Sequence, residues 1–394
     1  MKKKFIYDIL VNLLSSSLPL ITLQLVAMPL IARQETPQDY GIIIVLISIL
    51  TLISFPLGNV LNNIRLIKND YYSKYDKVED FQFLGISSSF FAILVFVNVW
   101  VFGGFEIAPV NIILQTLILI SLLLKDYWIV EFRIKLNFLG LLINNILLSF
   151  GYLLGIGLYY ISGYWEIIYL SGILLACLHI FNSTKIWKEP LSKSISFKST
   201  FQDFIKLYIA GLLKNLINYA DKILLLPLLG PISVAIYFTA TIVGKILSMV
   251  FSPISSVILS YLTRSKGISN ALFFKGFLIA LVTMLLGYIS TVFLSPFILN
   301  ILYPEWAEES LKIIYITTAA IYISILSSLF QPFNLRYNKM NWQVYMSIST
   351  LFIFIISALL LTPYYGLYGY SNALLISNSF YFVFQFVVFL RREK

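Results

Sequence analysis

The chain has 394 residues, of which 59% are hydrophobic and only 12% are charged, and its net charge is +10. A soluble domain carries about 25% charged residues, so this chain cannot cover a water-exposed surface and is predicted to be an integral membrane protein. One cysteine and one histidine, Cys177 and His179, exclude a disulfide framework and a Cys- or His-based metal centre. Glycine motifs for nucleotide binding are absent, which argues against nucleotide hydrolysis.

The predicted helices follow from uncharged runs, because a transmembrane helix needs about 20 apolar residues. The first run, 9–32, is too long for the apolar part of a signal peptide and predicts a first transmembrane helix. Further uncharged runs are 40–64, 81–105, 107–124, 136–165, 167–184, 276–304 and 313–335. The stretches 203–228 and 232–261 are also predicted helices, although both carry charged residues, the second only Lys245. The last run, 340–390, is long enough for two helices, with TPYYGLYG at 362–369 as the turn. The sequence therefore predicts an all-α membrane protein with twelve transmembrane helices.

Lysine and arginine positions predict the orientation. With the N-terminus inside, 22 of the 28 basic residues fall in cytoplasmic segments, as the positive-inside rule requires. All six tryptophans lie near predicted helix ends, as expected for an aromatic belt. Both termini are therefore predicted to be cytoplasmic. No nucleic acid is expected as a partner, because the basic residues are spread over seven short segments instead of one patch.

This topology is directly testable with reporter fusions along the chain. Fusions at Lys74, Lys193 and Lys339 are expected to report a cytoplasmic location, and fusions at Asn111 and Glu308 an external one. The physical reason is the bias of basic residues toward the cytoplasmic loops. Reporter activity and glycosylation or labelling at each site measure the outcome, and one reversed loop would contradict the map.

An internal repeat predicts two halves. Matching positions lie 194 to 198 residues apart, close to half the chain length: Asp8 and Asp203, Pro29 and Pro227, Pro56 and Pro253, and the TP at 36–37 with the GP at 230–231. Six helices in each copy imply two parallel halves related by an axis along the membrane normal. The predicted lobes are 1–190 and 191–394, joined by the basic segment KEPLSKSISFKS at 188–199.

Two segments resemble a known family. The first is QETPQDYGIIIVLISILTL at 34–52, and the second is YADKILLLPLLGPISVAIYFTATIV at 219–243. On these segments the chain resembles the O-antigen flippases of the polysaccharide transporter family. That family belongs to the multidrug/oligosaccharidyl-lipid/polysaccharide exporter (MOP) superfamily. The chain is shorter than many members of the family and has almost no outer loops.

The resemblance implies a carrier in the bacterial inner membrane. Its substrate would be an undecaprenyl-pyrophosphate-linked oligosaccharide, moved from the cytoplasmic to the periplasmic leaflet by alternating access. The implied partners are this lipid-linked oligosaccharide, membrane lipids, and a polysaccharide polymerase with its chain-length regulator. No cofactor is expected, and coupling to a proton or sodium gradient is left open.

Charged residues inside the seventh and eighth predicted helices form the candidate substrate site. Lys214 is the eleventh of 23 residues if the seventh helix is Phe204–Leu226, so it lies near the bilayer midplane. A lysine there costs about 2.5–3.5 kcal/mol on insertion scales, so it should face a wet cavity or a partner. Lys245 lies at a matching depth, because Lys214 is 16 residues before Gly230 and Lys245 is 15 after it.

The candidate substrate-binding residues are Lys214, Lys245, Asn215, Asn218 and Lys222. The hypothesis is that the two deep lysines bind the pyrophosphate as point charges while the asparagines line the path. The alternative is that one lysine pairs with Asp221, or with a carbonyl, for structure. Asp221 is also a candidate for coupling-ion binding. Adjacent residues do not face each other on a helix, so Asp221 and Lys222 are expected to act separately, as anchors at the outer interface.

Two other functions remain as alternatives. A multidrug-extruder-like antiporter would take cationic drugs, which favour an acidic cavity, whereas the interior charges here are mainly lysines. A membrane polysaccharide polymerase or ligase would need acids and bases at the outer face. The outer acidic residues, Glu35, Asp39, Glu305, Glu308 and Glu309, are expected to form solvated caps. The outer loops are short, so the chain is not expected to be an enzyme.

Overall fold

The computed structural model describes residues 15–75, 80–104, 108–264, 270–338 and 341–391. Every regular element in these ranges is helical. The main helices are α1 (Ser15–Gln34, with a π-helical stretch at Thr22–Ala27), α2 (Pro37–Tyr75), α3 (Phe81–Gly103), α4 (Pro109–Trp128), α5 (Val130–Ile134), α6 (Phe138–Ser162), α7 (Glu166–Ser183), α8 (Phe197–Ile223), α9 (Leu225–Arg264), α10 (Asn270–Leu302), α11 (Ala307–Tyr337) and α12 (Asn341–Leu390). The start of the predicted first helix, 9–14, lies outside the described residues.

Ten helical stretches in the described ranges are long and apolar enough to cross a membrane. Helix α8 is not among them, because charged residues interrupt its apolar surface. Helix α12 is counted as one of these ten stretches. Its 50 residues would extend about 75 Å as one straight helix, which is more than twice the thickness of the bilayer core. The backbone at Gly366 (φ 55°, ψ −134°) divides it into two spans. With α8 added and α12 divided, the predicted all-α architecture with twelve spans is confirmed.

The chain forms two compact units. The first contains Leu46–Tyr219 and the N-terminal segment up to Ile31, and the second contains Ala32–Val45 and the chain from Ala220 onward. The change of unit thus falls inside α8, whereas the predicted lobe boundary, 190/191, lies between α7 and α8. The division of the chain into lobes 1–190 and 191–394 remains a prediction.

Small residues bring α6 and α7 together in the first unit. A Cβ atom placed on Gly151 would lie 2.5 Å from the Cα atom of Gly172, so only glycine permits this approach. The Ser171 hydroxyl donates to the carbonyl of Gly151 at 2.8 Å. Small residues and interhelical hydrogen bonds hold membrane helices together where lipid removes the hydrophobic driving force. On α7, His179 stacks on Phe132 of α5 with ring centroids 5.5 Å apart and so acts as a packing residue.

Buried aromatic rings form part of the core of the second unit. Phe273, Phe330 and Phe389 pack together with ring centroids 4.6–5.6 Å apart. Offset and edge-to-face contacts of this kind add to the stability supplied by buried area. These rings tie α10, α11 and the second half of α12 into one bundle.

The turn between α1 and α2 also belongs to the second unit. Arg33 donates to the carbonyl oxygen of Ile301 at 2.5 Å. Tyr40 is fully buried and packs against Phe238 and Trp306, with ring centroids 6.4 and 5.7 Å away. The tyrosine of the segment 34–52, which carries part of the family resemblance, is therefore a packing residue at this end of the unit.

Candidate functional site

Helices α8, α9 and α12 place five polar side chains together in the second unit. We name this group the Asp221 cluster: Asp221 and Lys222 from α8, Tyr237 and Lys245 from α9, and Tyr370 from α12. The kinks at Gly230 (φ 79°) and Gly366 (φ 55°) turn the chain back so that these helices meet. Both glycines have positive φ, a conformation that residues with a Cβ atom rarely adopt.

Asp221 holds two ammonium groups at once. Its Oδ1 atom lies 2.9 Å from Nζ of Lys222. Its Oδ2 atom lies 3.0 Å from Nζ of Lys245. Asp221 and Lys222 are only 5% and 7% exposed, while the side chain of Lys245 is 27% exposed. The carboxylate therefore bridges two lysines, and Lys245 is the more accessible of the two.

Two buried tyrosines fix the position of Asp221. The Tyr237 hydroxyl donates to Oδ2 of Asp221 at 3.4 Å, and the Tyr370 hydroxyl donates to its backbone oxygen at 2.6 Å. The two rings meet edge to face with centroids 5.5 Å apart. A buried charge is tolerated only where such partners satisfy it, so the tyrosines stabilise an ionic group that lipid would reject.

The charge balance of the cluster is positive, because two ammonium groups share one carboxylate. Ionisable groups inside membrane segments are rare and mark substrate or ion pathways. An anion that approaches the exposed side of Lys245 can compete with Asp221 for it, and Lys222 remains to neutralise Asp221. The geometry thus suits reversible binding of an anionic group.

The structure brings together some of the predicted site residues. Asp221 and Lys222 were expected not to face each other, and this was wrong: the long lysine side chain turns back along the helix and pairs with its neighbour. Their burial also argues against the predicted role as interfacial anchors. Lys245 forms the ion pair with Asp221 that the sequence analysis named as the structural alternative.

The remaining predicted residues lie on α8. Asn215 is partly buried, and its amide donates to the carbonyl of Gly211 in its own helix at 2.8 Å. The side chains of Lys214 and Asn218 lie outside the described part of the structure. Substrate binding by Lys214, Lys245, Asn215, Asn218 and Lys222 therefore remains a prediction.

Sequence reasoning missed the two tyrosines. Tyr237 lies in the segment 219–243 that carries the family resemblance, and its spacing from Asp221 was the available signal. Tyr370 follows the predicted turn at 362–369, 149 residues from Asp221, and no local pattern connects the two.

A separate polar cluster in the first unit holds the segment between the two predicted lobes. Arg65 is 3% exposed, pairs with Glu189 of this segment and with Glu131 of α5, and donates to the hydroxyl of Tyr127 at 2.9 Å. A buried arginine–carboxylate pair of this kind forms well-aligned, charge-assisted hydrogen bonds that fix both side chains. The connecting segment is therefore fastened to the first unit at Glu189.

The same segment is also fastened at Asp80. The backbone N–H of Ser194 donates to Oδ1 of Asp80 at 2.6 Å and the Ser194 hydroxyl to Oδ2 at 2.8 Å, while the Tyr72 hydroxyl also donates to this carboxylate. Burial, together with this hydrogen bond, raises the pKa of Tyr72 well above its ordinary value. Tyr72 therefore stays protonated and acts as a donor.

No protein-family model matches the sequence, and neither does any curated protein sequence. Solved structures do match. "Lipid II flippase MurJ, inward closed conformation" superposes with a TM-score of 0.75 at 14% identity, covering 96% of this chain and 89% of that chain. An inward-facing multidrug resistance MATE family transporter of the MOP superfamily superposes with a TM-score of 0.65 at 12% identity. That match covers 96% of this chain and 93% of that chain. The Vibrio cholerae MATE transporter VcmN in the bent form superposes with a TM-score of 0.61 at 14% identity. That match covers 98% of this chain and 94% of that chain.

At these identities the likeness shows the fold alone. The chain is a multi-pass membrane protein with the fold of the MOP superfamily transporters. The fold is the one that the resemblance implies, and membership of the superfamily remains a prediction. The structures named above are those of a flippase and of two MATE transporters. The more specific resemblance to O-antigen flippases remains a prediction.

Proposed function

We propose that the chain is a flippase for a lipid-linked oligosaccharide. The substrate would carry an undecaprenyl-pyrophosphate anchor and an O-antigen or similar repeat unit, and would move from the cytoplasmic to the periplasmic leaflet of the bacterial inner membrane. Two observations support this proposal: the segments at 34–52 and 219–243, and the fold shared with the lipid II flippase MurJ. The proposed partners are membrane lipids, a polysaccharide polymerase and a chain-length regulator.

The observation that carries the proposal is the positive charge of the Asp221 cluster. The buried Lys222 and the partly exposed Lys245 share one carboxylate inside a membrane-embedded unit. A pyrophosphate is an anion, and lysine is a common phosphate ligand that acts as a point charge. Lys245 is proposed to exchange Asp221 for the pyrophosphate, with Lys222 holding Asp221 in place. Lys214, Asn215 and Asn218 are proposed to line the same path.

Coupling to an ion gradient is part of the proposal but has no named ligand set. Asp221 is the candidate group, since losing Lys245 to a substrate would leave its Oδ2 atom open to a proton or a sodium ion. No group of three or more His, Cys, Asp and Glu side chains in the described ranges could hold a metal ion. Any coupling cation is therefore proposed to use Asp221 together with neutral oxygens.

The second candidate function is a drug antiporter. Two of the structures named above are MATE transporters, and the buried carboxylate of Asp221 could attract a cation. Its two lysine partners oppose this, because a cationic drug would meet excess positive charge. A polymerase or ligase has less support: Glu309, one of its outer acidic candidates, pairs with Lys312 at 2.5 Å and both are largely exposed, as in a solvated cap.

Transport by the purified protein tests the proposal. The full chain is reconstituted in vesicles with a labelled lipid-linked oligosaccharide, with and without an imposed proton or sodium gradient. We expect the sugar to become accessible to an impermeant sugar-cleaving enzyme on the opposite leaflet only in vesicles that contain the protein. Movement of a cationic dye without movement of the lipid-linked sugar would contradict the flippase and favour the antiporter. Sugar polymer formed in the vesicles would favour the polymerase.

A further inference from the structure

Arg133 lies in the short helix α5 of the first unit and contacts two asparagines of α2. Its Nη1 atom donates to Oδ1 of Asn62 and, at 3.1 Å, to Oδ1 of Asn63. Asn62 and Asn63 lie 71 and 70 positions before Arg133 in the chain.

The two amides are themselves held in one orientation. Nδ2 of Asn62 donates to the backbone oxygen of Asp126 at 2.8 Å. Nδ2 of Asn63 donates to Oδ1 of Asn59 at 3.1 Å. Because an amide nitrogen can only donate, both side chains must turn their oxygens toward Arg133. The guanidinium is thus positioned by a chain of fixed amides.

The charges around Arg133 are already paired with one another. Arg65 pairs with Glu131 and Glu189, Lys125 with Asp126, and Lys135 with Glu131. Among the described residues no carboxylate lies within ion-pair distance of Arg133. This part of the unit therefore keeps one positive charge in excess, located on a partly buried arginine that only neutral oxygens hold.

One edge of the guanidinium is open. Both contacts to the asparagines use Nη1, while Nε and Nη2 have no acceptor among the described residues and are not enclosed within the protein. This edge presents parallel N–H groups with the spacing that fits two oxygens of a carboxylate or phosphate. Asn59 and Asn63 are partly exposed beside it, and polar groups in membrane helices face water or protein in preference to lipid.

We infer that Arg133, positioned by Asn62 and Asn63, binds a phosphate-type oxyanion and receives the diphosphate of the lipid-linked substrate. The inference rests on the proposed function for the identity of the substrate. The positive-inside rule places α5 at the cytoplasmic side, where a substrate made in the cytoplasmic leaflet would carry its diphosphate. The head group of a bulk anionic phospholipid offers the same chemistry, and the experiment separates the two sources.

Equilibrium binding of farnesyl diphosphate to the full chain tests the inference, in nanodiscs of phosphatidylcholine and in nanodiscs that also contain phosphatidylglycerol. Because hydrogen bonds between charged groups are strong, Arg133→Gln should weaken binding about tenfold or more, and Arg133→Lys should weaken it less. Lys135→Gln is the matched control, because it also removes one positive charge and lies only two positions from Arg133. The side chain of Lys135 is exposed and pairs with Glu131. The control should bind within about twofold of the unaltered protein.

Three results would overturn the inference. The first is unaltered binding of farnesyl diphosphate by Arg133→Gln, and the second is an equal loss of binding in Lys135→Gln. The third is a defect of Arg133→Gln that appears only in nanodiscs containing phosphatidylglycerol, which would assign Arg133 to bulk lipid. If Arg133→Gln does not fold, Asn63→Ala removes one positioning oxygen without changing charge and should also weaken binding. The assay measures binding without translocation, so failure of the vesicle transport experiment and failure of this one are distinguishable.

Discussion

Replacing Lys245 with glutamine is expected to abolish transport while the protein stays folded at its normal level. The change removes the ammonium group 3.0 Å from Oδ2 of Asp221 and leaves Asp221 paired with Lys222. The remaining cluster is neutral, so it folds but loses the excess positive charge that attracts an anion. We expect at least a tenfold loss of transport in reconstituted vesicles, comparable to losing one charge-assisted hydrogen bond.

The comparison variants separate binding from structure. Lys245→Arg keeps the charge and should retain part of the activity, and Lys206→Gln, which changes an exposed lysine of α8, should retain all of it. Asp221→Asn leaves the buried Lys222 and the partly buried Lys245 without a carboxylate and should lower the amount of folded protein, because breaking a buried ion pair costs about 3–5 kcal/mol. Full transport by Lys245→Gln would mean that Lys245 serves only to hold Asp221.

Replacing Gly41 with valine is expected to force two segments of the second unit apart. A Cβ atom on Gly41 of α2 would lie 1.9 Å from the carbonyl oxygen of Pro231, next to the kink at Gly230. Overpacking usually costs about 1–3 kcal/mol when side chains can move aside. Here the obstacle is backbone, so the cost should be higher and the thermal unfolding midpoint should fall by several degrees.

Gly157→Val is the matched control for this experiment. Gly157 is an exposed glycine of α6, and no atom lies within 4 Å of a Cβ atom placed on it. Its unfolding midpoint should therefore stay close to that of the unaltered protein. Equal midpoints for the two variants would show that Gly41 and Pro231 do not approach as closely as the structure places them.

The spans were predictable from the sequence for a simple reason. A bilayer core of fixed thickness demands long apolar runs, and these runs are visible without any tertiary contact. Helix α8 is the informative exception, since its charges interrupt the apolar surface. Its helical nature was nevertheless predicted, and the structure shows that two of those charges, Asp221 and Lys222, are buried against each other and against Lys245.

The candidate site was only partly predictable. Lys245 and Asp221 were identifiable because a charge inside an apolar run is unusual, but their pairing was one of two open alternatives. The rule that adjacent helix residues do not face each other describes Cβ directions, and the flexible stem of Lys222 overcomes it. Arg133 gave no signal at all, because arginines near helix ends are common and its partners, Asn62 and Asn63, are distant in the chain.

The sequence by itself determined that this protein is helical and embedded in a membrane, because apolar length and charge placement act locally, and a long apolar run satisfies all its backbone hydrogen bonds in lipid by forming a helix. Only the tertiary structure decided which charges neutralise each other. The carboxylate of Asp221 meets Lys245 across 24 positions, and its backbone meets Tyr370 across 149. Such contacts depend on how the helices pack, and the kinks at Gly230 and Gly366 set that packing.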